Sequence, residues 1–240
     1  MNTTRKNIIR FCVVGVLAGC IGNGNLSAQT VLLHVDRATD SLASNTGPNL
    51  AKFHHVFIGI GSATGTNNPG AEIITPVSTS FFFGVRAKYK FSRIFSGGYD
   101  LTAMNQIYKI KQKVGKVLPD SVNHHVGRIQ LSSIGISVYQ RTNLDPGRGN
   151  TMGTHIDLGV RGGWILDARY IFKDNHPDGD LKGRIKNLRY TQDFDAAILV
   201  RIGFSKFSIF GERRLTDVFK KSFGYPELPL YHFGFEQALY

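Results

Sequence analysis

Apolar and polar residues alternate with a period of two along most of this chain, and the longest such run covers residues 156–170. Its apolar set is Ile156, Leu158, Val160, Gly162, Trp164, Leu166, Ala168 and Tyr170, and its other set is Asp157, Gly159, Arg161, Gly163, Ile165, Asp167 and Arg169. Side chains of an extended strand point alternately to two faces, so the run predicts a strand with one apolar and one charged face. Strands of soluble sheets usually have about five or six residues, whereas a tilted strand that crosses a bilayer needs roughly 9 to 11. The segment is therefore predicted to cross a membrane with its apolar face toward lipid.

Seven further segments alternate in the same way, which predicts eight strands in all. The strands are expected at about 53–61, 80–91, 97–104, 128–140, 156–170, 196–204, 207–215 and 231–239. In the fourth strand Ile129 and Leu131 fall out of phase, which indicates a bulge or an unassigned register there. Residues 172–186 are predicted to form a long polar loop.

The connections support a closed barrel, because long and short ones alternate. Those after strands one, three, five and seven are long, and those after strands two and six are very short, although the one after strand four is longer than the rule predicts. The sequence thus predicts an all-β fold, an eight-stranded antiparallel transmembrane β-barrel with up-and-down meander topology and both termini in the periplasm. A soluble lipocalin-like barrel is the alternative, and strand length, loop asymmetry and the N-terminal segment argue against it.

The alternation assigns the side chains to two environments. The predicted lumenal charge cluster is Arg86, Lys88, Asp100, Asp157, Arg161, Asp167, Arg169, Arg201 and Glu212. The predicted lipid-facing residues are Phe81, Phe83, Val85, Ile156, Leu158, Val160, Trp164, Leu166, Ile198, Val200, Ile202, Phe233 and Phe235. The interior of an eight-stranded barrel is just wide enough for side chains to fill it, so the charges are expected to form a salt-bridged plug. An ion or proton path is the functional alternative.

The N-terminal segment has the pattern of a secretory signal. Basic residues precede the apolar run 11–21, and Ser27-Ala28-Gln29 follows. We predict a signal peptide at 1–29, a periplasmic extension at 30–52 and the barrel at 53–240. Lipidation at Cys20 is an alternative, since residues 17–20 resemble a lipobox. Both cysteines precede Gln29, so cleavage there would leave no disulfide.

Charge and candidate chemistry narrow the function classes. The formal net charge of +12 comes from bases scattered over strands and loops, a distribution that argues against nucleic acid and suits anionic lipopolysaccharide headgroups. His54-His55 and His124-His125 lack a third ligand at metal-binding spacing, so neither a metal nor a cofactor is predicted. Ser133, His155 and Asp157 are candidates for a hydrolase site, but no nucleophile-elbow motif accompanies them.

Several short motifs carry a resemblance to a known group. They are the leader end Ser27-Ala28-Gln29, the segment FGVRAKY at 83–89, GTHIDLG at 153–159, and RLTDVF at 214–219 followed by Glu227-Leu228-Pro229. In these the barrel region resembles the small outer-membrane β-barrel proteins of Bacteroidota, which include the PorT-like barrels of the type IX secretion system. The resemblance implies a bacterial outer-membrane location and protein partners in an envelope complex.

Three functions are compatible with these observations. The first is a non-enzymatic scaffold or accessory component of a cell-envelope machine such as type IX protein secretion. The others are an outer-membrane lipid-modifying hydrolase and a barrel that binds surface ligands through its long loops.

Overall fold

The computed structural model describes residues 44–65, 68–176 and 179–240, and the predicted signal peptide lies outside these ranges. The described strands are β1 (Lys52–Thr64), β2 (Thr79–Lys90), β3 (Phe95–Ile110), β4 (Val126–Asn143), β5 (Thr154–His176), β6 (Gly179–Lys186), β7 (Phe194–Phe204), β8 (Phe207–Arg214) and β9 (Tyr231–Leu239). Two short 3-10 turns lie at Thr75–Val77 and Lys221–Phe223. Among the described residues no helix is long and apolar enough to span a membrane.

Eight of the strands form a closed antiparallel ring in the order β1-β2-β3-β4-β5-β7-β8-β9, because β9 pairs with β1 and β4 pairs with β5. The prediction of an eight-stranded antiparallel barrel is confirmed. The long connections meet at one end, the loop end, and the connections β2–β3, β4–β5 and β7–β8 meet at the other, the turn end. The chain enters β1 and leaves β9 at the turn end.

The ninth strand was not predicted. Residues expected to form a polar loop at 172–186 continue β5 to His176 and return as β6, which pairs only with the outer part of β5. Most residues of β6 are exposed, whichever face they lie on. Because neither face is buried, the sequence of β6 has no clear apolar face that would predict a strand. The hairpin is held by its backbone ladder, and Gly179 at the start of β6 has a φ of 133°, which suits glycine.

The bulge lies in β5 and not in β4. Ser132 pairs with Asp167 while the next residue, Ser133, pairs with Ile165, so Leu166 is an extra residue in β5. Beyond the bulge the faces of β5 exchange. Ala168 and Tyr170, predicted on the lipid face, are buried inside. Asp167 and Arg169, predicted on the lumenal face, point outward.

An apolar belt surrounds the ring. Most of the outward side chains predicted to face lipid are strongly exposed, and Ile156 and Leu166 are partly exposed. Outward residues on neighbouring strands extend the belt: Val56, Ile58, Ile60, Tyr99, Leu101, Ile136, Val138, Ile209, Tyr231 and Leu239. Apolar residues outside and charged residues inside are the arrangement of a transmembrane barrel and the reverse of a soluble one.

The ring has unequal walls. β3, β4 and β5 have 16, 18 and 23 residues, whereas β8 and β9 have 8 and 9. At the loop end, residues 105–110 of β3, 126–132 of β4 and 167–176 of β5 rise above the belt together with β6. With the long loops they form what we call the lobe. Residues 167–176 alone add roughly 30 Å along the strand at about 3.3 Å per residue.

The belt predicts that arginine substitutions at two equally exposed side chains differ in their effect on stability, depending on whether the side chain lies inside or outside the belt. Val160 in the belt and Leu181 in the lobe are 58% and 60% exposed. Val160→Arg should destabilise the folded barrel in membranes by roughly 2 to 4 kcal/mol, because the guanidinium must snorkel or thin the bilayer. Leu181→Arg should change stability by less than about 0.5 kcal/mol. The midpoint of urea unfolding, followed by heat-modifiable gel mobility, measures both, and equal tolerance would contradict the facing.

Candidate functional site

The middle of the lumen holds a closed circuit of ion pairs. Arg86 Nε lies 2.8 Å from Asp100 Oδ1, and Arg86 Nη2 lies 3.0 Å from Glu236 Oε2. Arg201 contacts the same two acids from the other side, with its Nε 3.1 Å from Glu236 Oε1 and its Nη2 bonded to Asp100. All four side chains are almost completely buried. Each acid thus bridges two guanidinium groups.

A further pair joins this circuit. Arg141 makes a bidentate bond to Asp157, with Nε–Oδ1 at 2.7 Å and Nη2–Oδ2 at 2.8 Å. Arg201 Nη1 lies 3.6 Å from the same carboxylate. The ring of Tyr139 is 5.5 to 5.7 Å from three guanidinium carbons, those of Arg86, Arg141 and Arg201. The resulting lumenal network has three arginines and three acids, so its formal charge is zero.

Apolar and ionic layers fill the lumen above and beside this network. Phe57, Phe82, Met104, Leu199 and Phe210 form one buried cluster, in which Phe82 and Phe210 meet edge to face at 5.1 Å between centroids. A second ionic group follows toward the loop end, where Arg161 contacts Asp195 at 2.7 Å and Glu212 at 3.2 Å.

The turn end is covered by the segment that precedes β1. Lys88 Nζ donates to the Pro48 carbonyl and Lys90 Nζ donates to the Asn49 carbonyl at 2.8 Å. Asn49 in turn donates to the Arg148 carbonyl of the β4–β5 connection at 2.7 Å. The segment and this connection therefore lie across the opening together, and a small cluster of Phe53, Met152 and Ala238 packs beneath them.

The loop end is closed by the lobe. Its core consists of Ala63, Ala71, Ile73, Tyr108, Ile110, Leu118, Ile129, Leu131, Ala168, Tyr170, Leu188, Val218, Phe219 and Leu228. Strand residues supply one side of this core and loop residues the other. Arg214 joins the core to the lumen, because its Nη2 donates to Glu227 at 2.7 Å and to the Leu228 carbonyl at 3.0 Å.

Polar contacts fix the loops of the lobe. His124 Nδ1 lies 2.8 Å from Asp174 Oδ2, and the His125 backbone N–H donates to Asp174 Oδ1 at 3.0 Å. The bond with His124 lowers the pKa of the Asp174 carboxyl. Tyr225 donates its hydroxyl to the Pro119 carbonyl at 3.2 Å. The aromatic ring of Tyr190 packs against that of Tyr225 at 4.8 Å, and burial raises the pKa of Tyr190.

The predicted lumenal residues divide into two groups. Seven lie buried in the lumen: Arg86, Lys88, Asp100, Asp157, Arg161, Arg201 and Glu212. Asp167 and Arg169 do not, because the bulge at Leu166 turns them outward, where they pair with each other. The sequence prediction was wrong for these two residues, since it assumed unbroken alternation along β5.

Sequence reasoning also missed members of the lumenal groups. Arg141 lies one residue after the predicted end of the fourth strand, and Asp195 lies one residue before the predicted start of the sixth. Glu236 alternates with Phe235 on the last strand but is absent from the predicted cluster. Extending the parity of the fourth and sixth predicted strands by one residue finds Arg141 and Asp195, and applying parity within the last predicted strand finds Glu236.

The candidate catalytic and metal-binding residues are not brought together. His155 pairs with Asn143 of β4, ten positions (143 − 133) from Ser133, which corresponds to roughly 30 Å. The carboxylate of Asp157 is occupied by guanidinium groups. His54 faces outward and His55 inward, and the described residues contain no group of three metal-ligating side chains.

Comparison with known proteins gives architectural likeness only. No protein-family model and no curated protein matches the chain. Similar solved structures include the crystal structure of Ail, the attachment invasion locus protein of Yersinia pestis, in complex with the heparin analogue sucrose octasulfate. It has a TM-score of 0.33 and 8% identity, covering 78% of this chain and 94% of that chain. A second structure of Ail has a TM-score of 0.25 and 10% identity, covering 78% and 95%. Neither likeness carries an argument about function.

Charge balance in the lumen predicts a strong coupling between Arg141 and Asp157. Arg141→Met should destabilise the barrel by about 3 to 5 kcal/mol, because it leaves a buried carboxylate short of a partner. Adding Asp157→Leu should recover most of that loss. Urea unfolding of the two single variants and the double variant measures the coupling.

A matched surface pair provides the control for this cycle. Lys173 Nζ lies 2.7 Å from Asp180 Oδ2 on the exposed β5–β6 hairpin. Lys173→Met should leave the unfolding midpoint unchanged, because solvent screens an exposed pair. If Lys173→Met and Arg141→Met lowered the stability by comparable amounts, burial would not be the reason why the lumenal ion pair is strong.

The filled lumen predicts that the barrel does not conduct ions. In planar bilayers the purified chain should give no porin-sized current steps, because side chains fill the interior and both ends are covered. A known porin in the same bilayers serves as the positive control. Stable porin-sized steps from the chain would contradict the packing described above.

Proposed function

We propose that this chain is a non-enzymatic integral outer-membrane β-barrel that holds its lobe in place as a scaffold or accessory component of a cell-envelope machine. One observation carries the proposal: the longest strands extend beyond the apolar belt and build a packed lobe, while the lumen beneath is filled with neutralised charge. A barrel of this kind offers partners a rigid surface and no passage.

The outer membrane is the proposed location, because closed barrels with an apolar outer belt and short turns at one end belong there. In this orientation the turn end, where β1 begins and β9 ends, faces the periplasm. The lobe then faces the cell exterior and is available to extracellular or secreted proteins.

Type IX protein secretion is the machine we propose first, on the basis of the sequence resemblance to PorT-like barrels. The lobe suits an accessory role because it exposes apolar side chains outside the belt. Val122, Leu181 and Leu215 are examples, each more than half exposed.

Site-specific photocrosslinking in intact cells tests this role. A photoreactive residue at Leu181 or Leu215 should capture the same envelope protein, and one at Val160 should capture lipid. Loss of the chain should also lower secretion of type IX cargo, and the wild-type gene should restore it. The accessory role is refuted if the lobe positions give no protein adduct, or if secretion is unaffected by the loss.

Ligand binding at the cell surface is a second candidate. Aromatic rings of Tyr190, Phe219, Phe223 and Tyr225 pack together in the lobe, and Phe223 is half exposed. Transfer of the lobe, strands included, onto another barrel would carry ligand binding with it, but would not carry assembly into a secretion complex. The hydrolase alternative loses its candidate site, since Ser133 lies far from His155.

A further inference from the structure

The outer face of the lobe is strongly basic. Strand alternation and register put seven cationic side chains on this basic face: Lys109, Arg128, Arg169, Lys173, Lys182, Arg184 and Lys186. Two acids, Asp167 and Asp180, share it, so the formal balance is seven minus two, or +5. The face spans β3 to β6, on the wall of the barrel that rises above the belt.

The cations lie in rows across the strands. Lys109 pairs with Arg128, Arg128 pairs with Ile171, and Ile171 pairs with Arg184. The next row toward the membrane places Arg169 beside Lys186, and the next row away from it places Lys173 beside Lys182. Paired residues of antiparallel strands are about 4.5 to 5.5 Å apart at Cα. The rows therefore concentrate positive charge at a spacing that favours multivalent anions.

Only part of this charge is neutralised within the protein. Arg169 pairs with Asp167, and Lys173 pairs with Asp180. For Lys109, Arg128, Arg184 and Lys186, the described residues supply no ion-pair partner, and Lys182 shares the charge of Asp180 with Lys173. Like charges on adjacent strands repel one another, so an external anion would stabilise the hairpin.

The basic face begins where the belt ends. Ile134 and Trp164 are paired outward residues near the top of the belt. Directly above them is a polar layer, in which Asn105 donates to Ser132 at 2.9 Å and Gln130 donates to Asn105 at 3.1 Å. Gln130 pairs with Arg169, the first outward cation above the belt. From the belt upward, the outward side chains change from apolar to polar to cationic. This order matches the change from acyl chains to headgroups across a leaflet.

We propose that the basic face binds the phosphate groups of anionic lipids in the membrane that the barrel crosses. The inference rests on the proposed membrane function and adds a ligand class and a site to it. A soluble acidic protein is the competing occupant. The lipid is favoured because the face is continuous with the belt on the same strands and so meets headgroups as soon as the belt meets acyl chains.

The single tryptophan of the chain provides a local probe. Trp164 is half exposed on β5, below the basic face. The full chain is folded into vesicles of phosphatidylcholine mixed with phosphatidylglycerol, with bromine on the acyl chains of one lipid or the other. Quenching of Trp164 then gives the relative affinity of the neighbouring sites for the two lipids. We expect a preference for phosphatidylglycerol that falls with added salt.

Two double variants remove equal charge from different places. Arg184→Gln with Lys186→Gln should lower the preference by about fivefold for each cation removed, the factor that corresponds to about 1 kcal/mol. Lys113→Gln with Lys221→Gln, exposed loop positions outside the basic face, should leave it unchanged. Heat-modifiable mobility confirms that each variant is folded.

Each contrary result has a distinct meaning. Equal quenching by both lipids in the wild type, or equal losses in the two double variants, refutes the lipid site alone. Competition by inorganic phosphate at constant ionic strength identifies the ligand as free phosphate and also overturns it. Loss of a protein crosslink in the Arg184 and Lys186 variant, without a change in lipid preference, assigns the face to a protein. A chain that enters neither kind of vesicle refutes the proposed membrane function itself.

Discussion

The ring of eight strands encloses buried charge in an interior that side chains fill, with almost no room for water. Each arginine there needs acceptors within the protein, because an unpaired buried ion is far more costly than a paired one. The lumenal network meets this requirement with three arginines and three acids. Close approach of the strands is part of the same constraint. At Gly159 an added Cβ would lie 2.6 Å from the Val138 carbonyl and 2.9 Å from Tyr139 Cβ, so the tyrosine ring that the three guanidiniums surround needs a glycine beside it.

The blocked lumen and the tall wall have one cause in common. Inside the belt, β5 alternates in phase and contributes Asp157 and Arg161 to the interior. After the bulge at Leu166, the inward residues Ala168, Tyr170 and Phe172 are apolar, and the outward residues Asp167, Arg169 and Lys173 are charged. The same strand thus helps to fill the barrel in one half and builds an apolar core for the lobe in the other. The change of environment along β5 is made by one inserted residue.

Much of this architecture could be predicted from the sequence because strand parity is a strong signal wherever one face is apolar. All eight ring strands were located in that way, and the long run at 156–170 was assigned to the correct strand. Parity cannot reveal an inserted residue when apolar and polar residues still alternate on either side of it. Asp167 and Arg169 were therefore predicted on the wrong face. Alternation is also uninformative where both faces meet water, as in β6. The ion-pair partners themselves depend on register across the barrel, which the sequence of one strand does not contain.

The continuity of β5 has a mechanical and evolutionary consequence. A single strand of 23 residues runs from the turn end into the lobe without an intervening hinge. The lobe is consequently not a module that could be cut away, expressed alone or exchanged for another by recombination within a loop. Any such exchange would have to cut the ladders of β3, β4 and β5. A force on the lobe would reach the barrel through backbone hydrogen bonds, so pulling or twisting by a partner would strain the transmembrane wall directly.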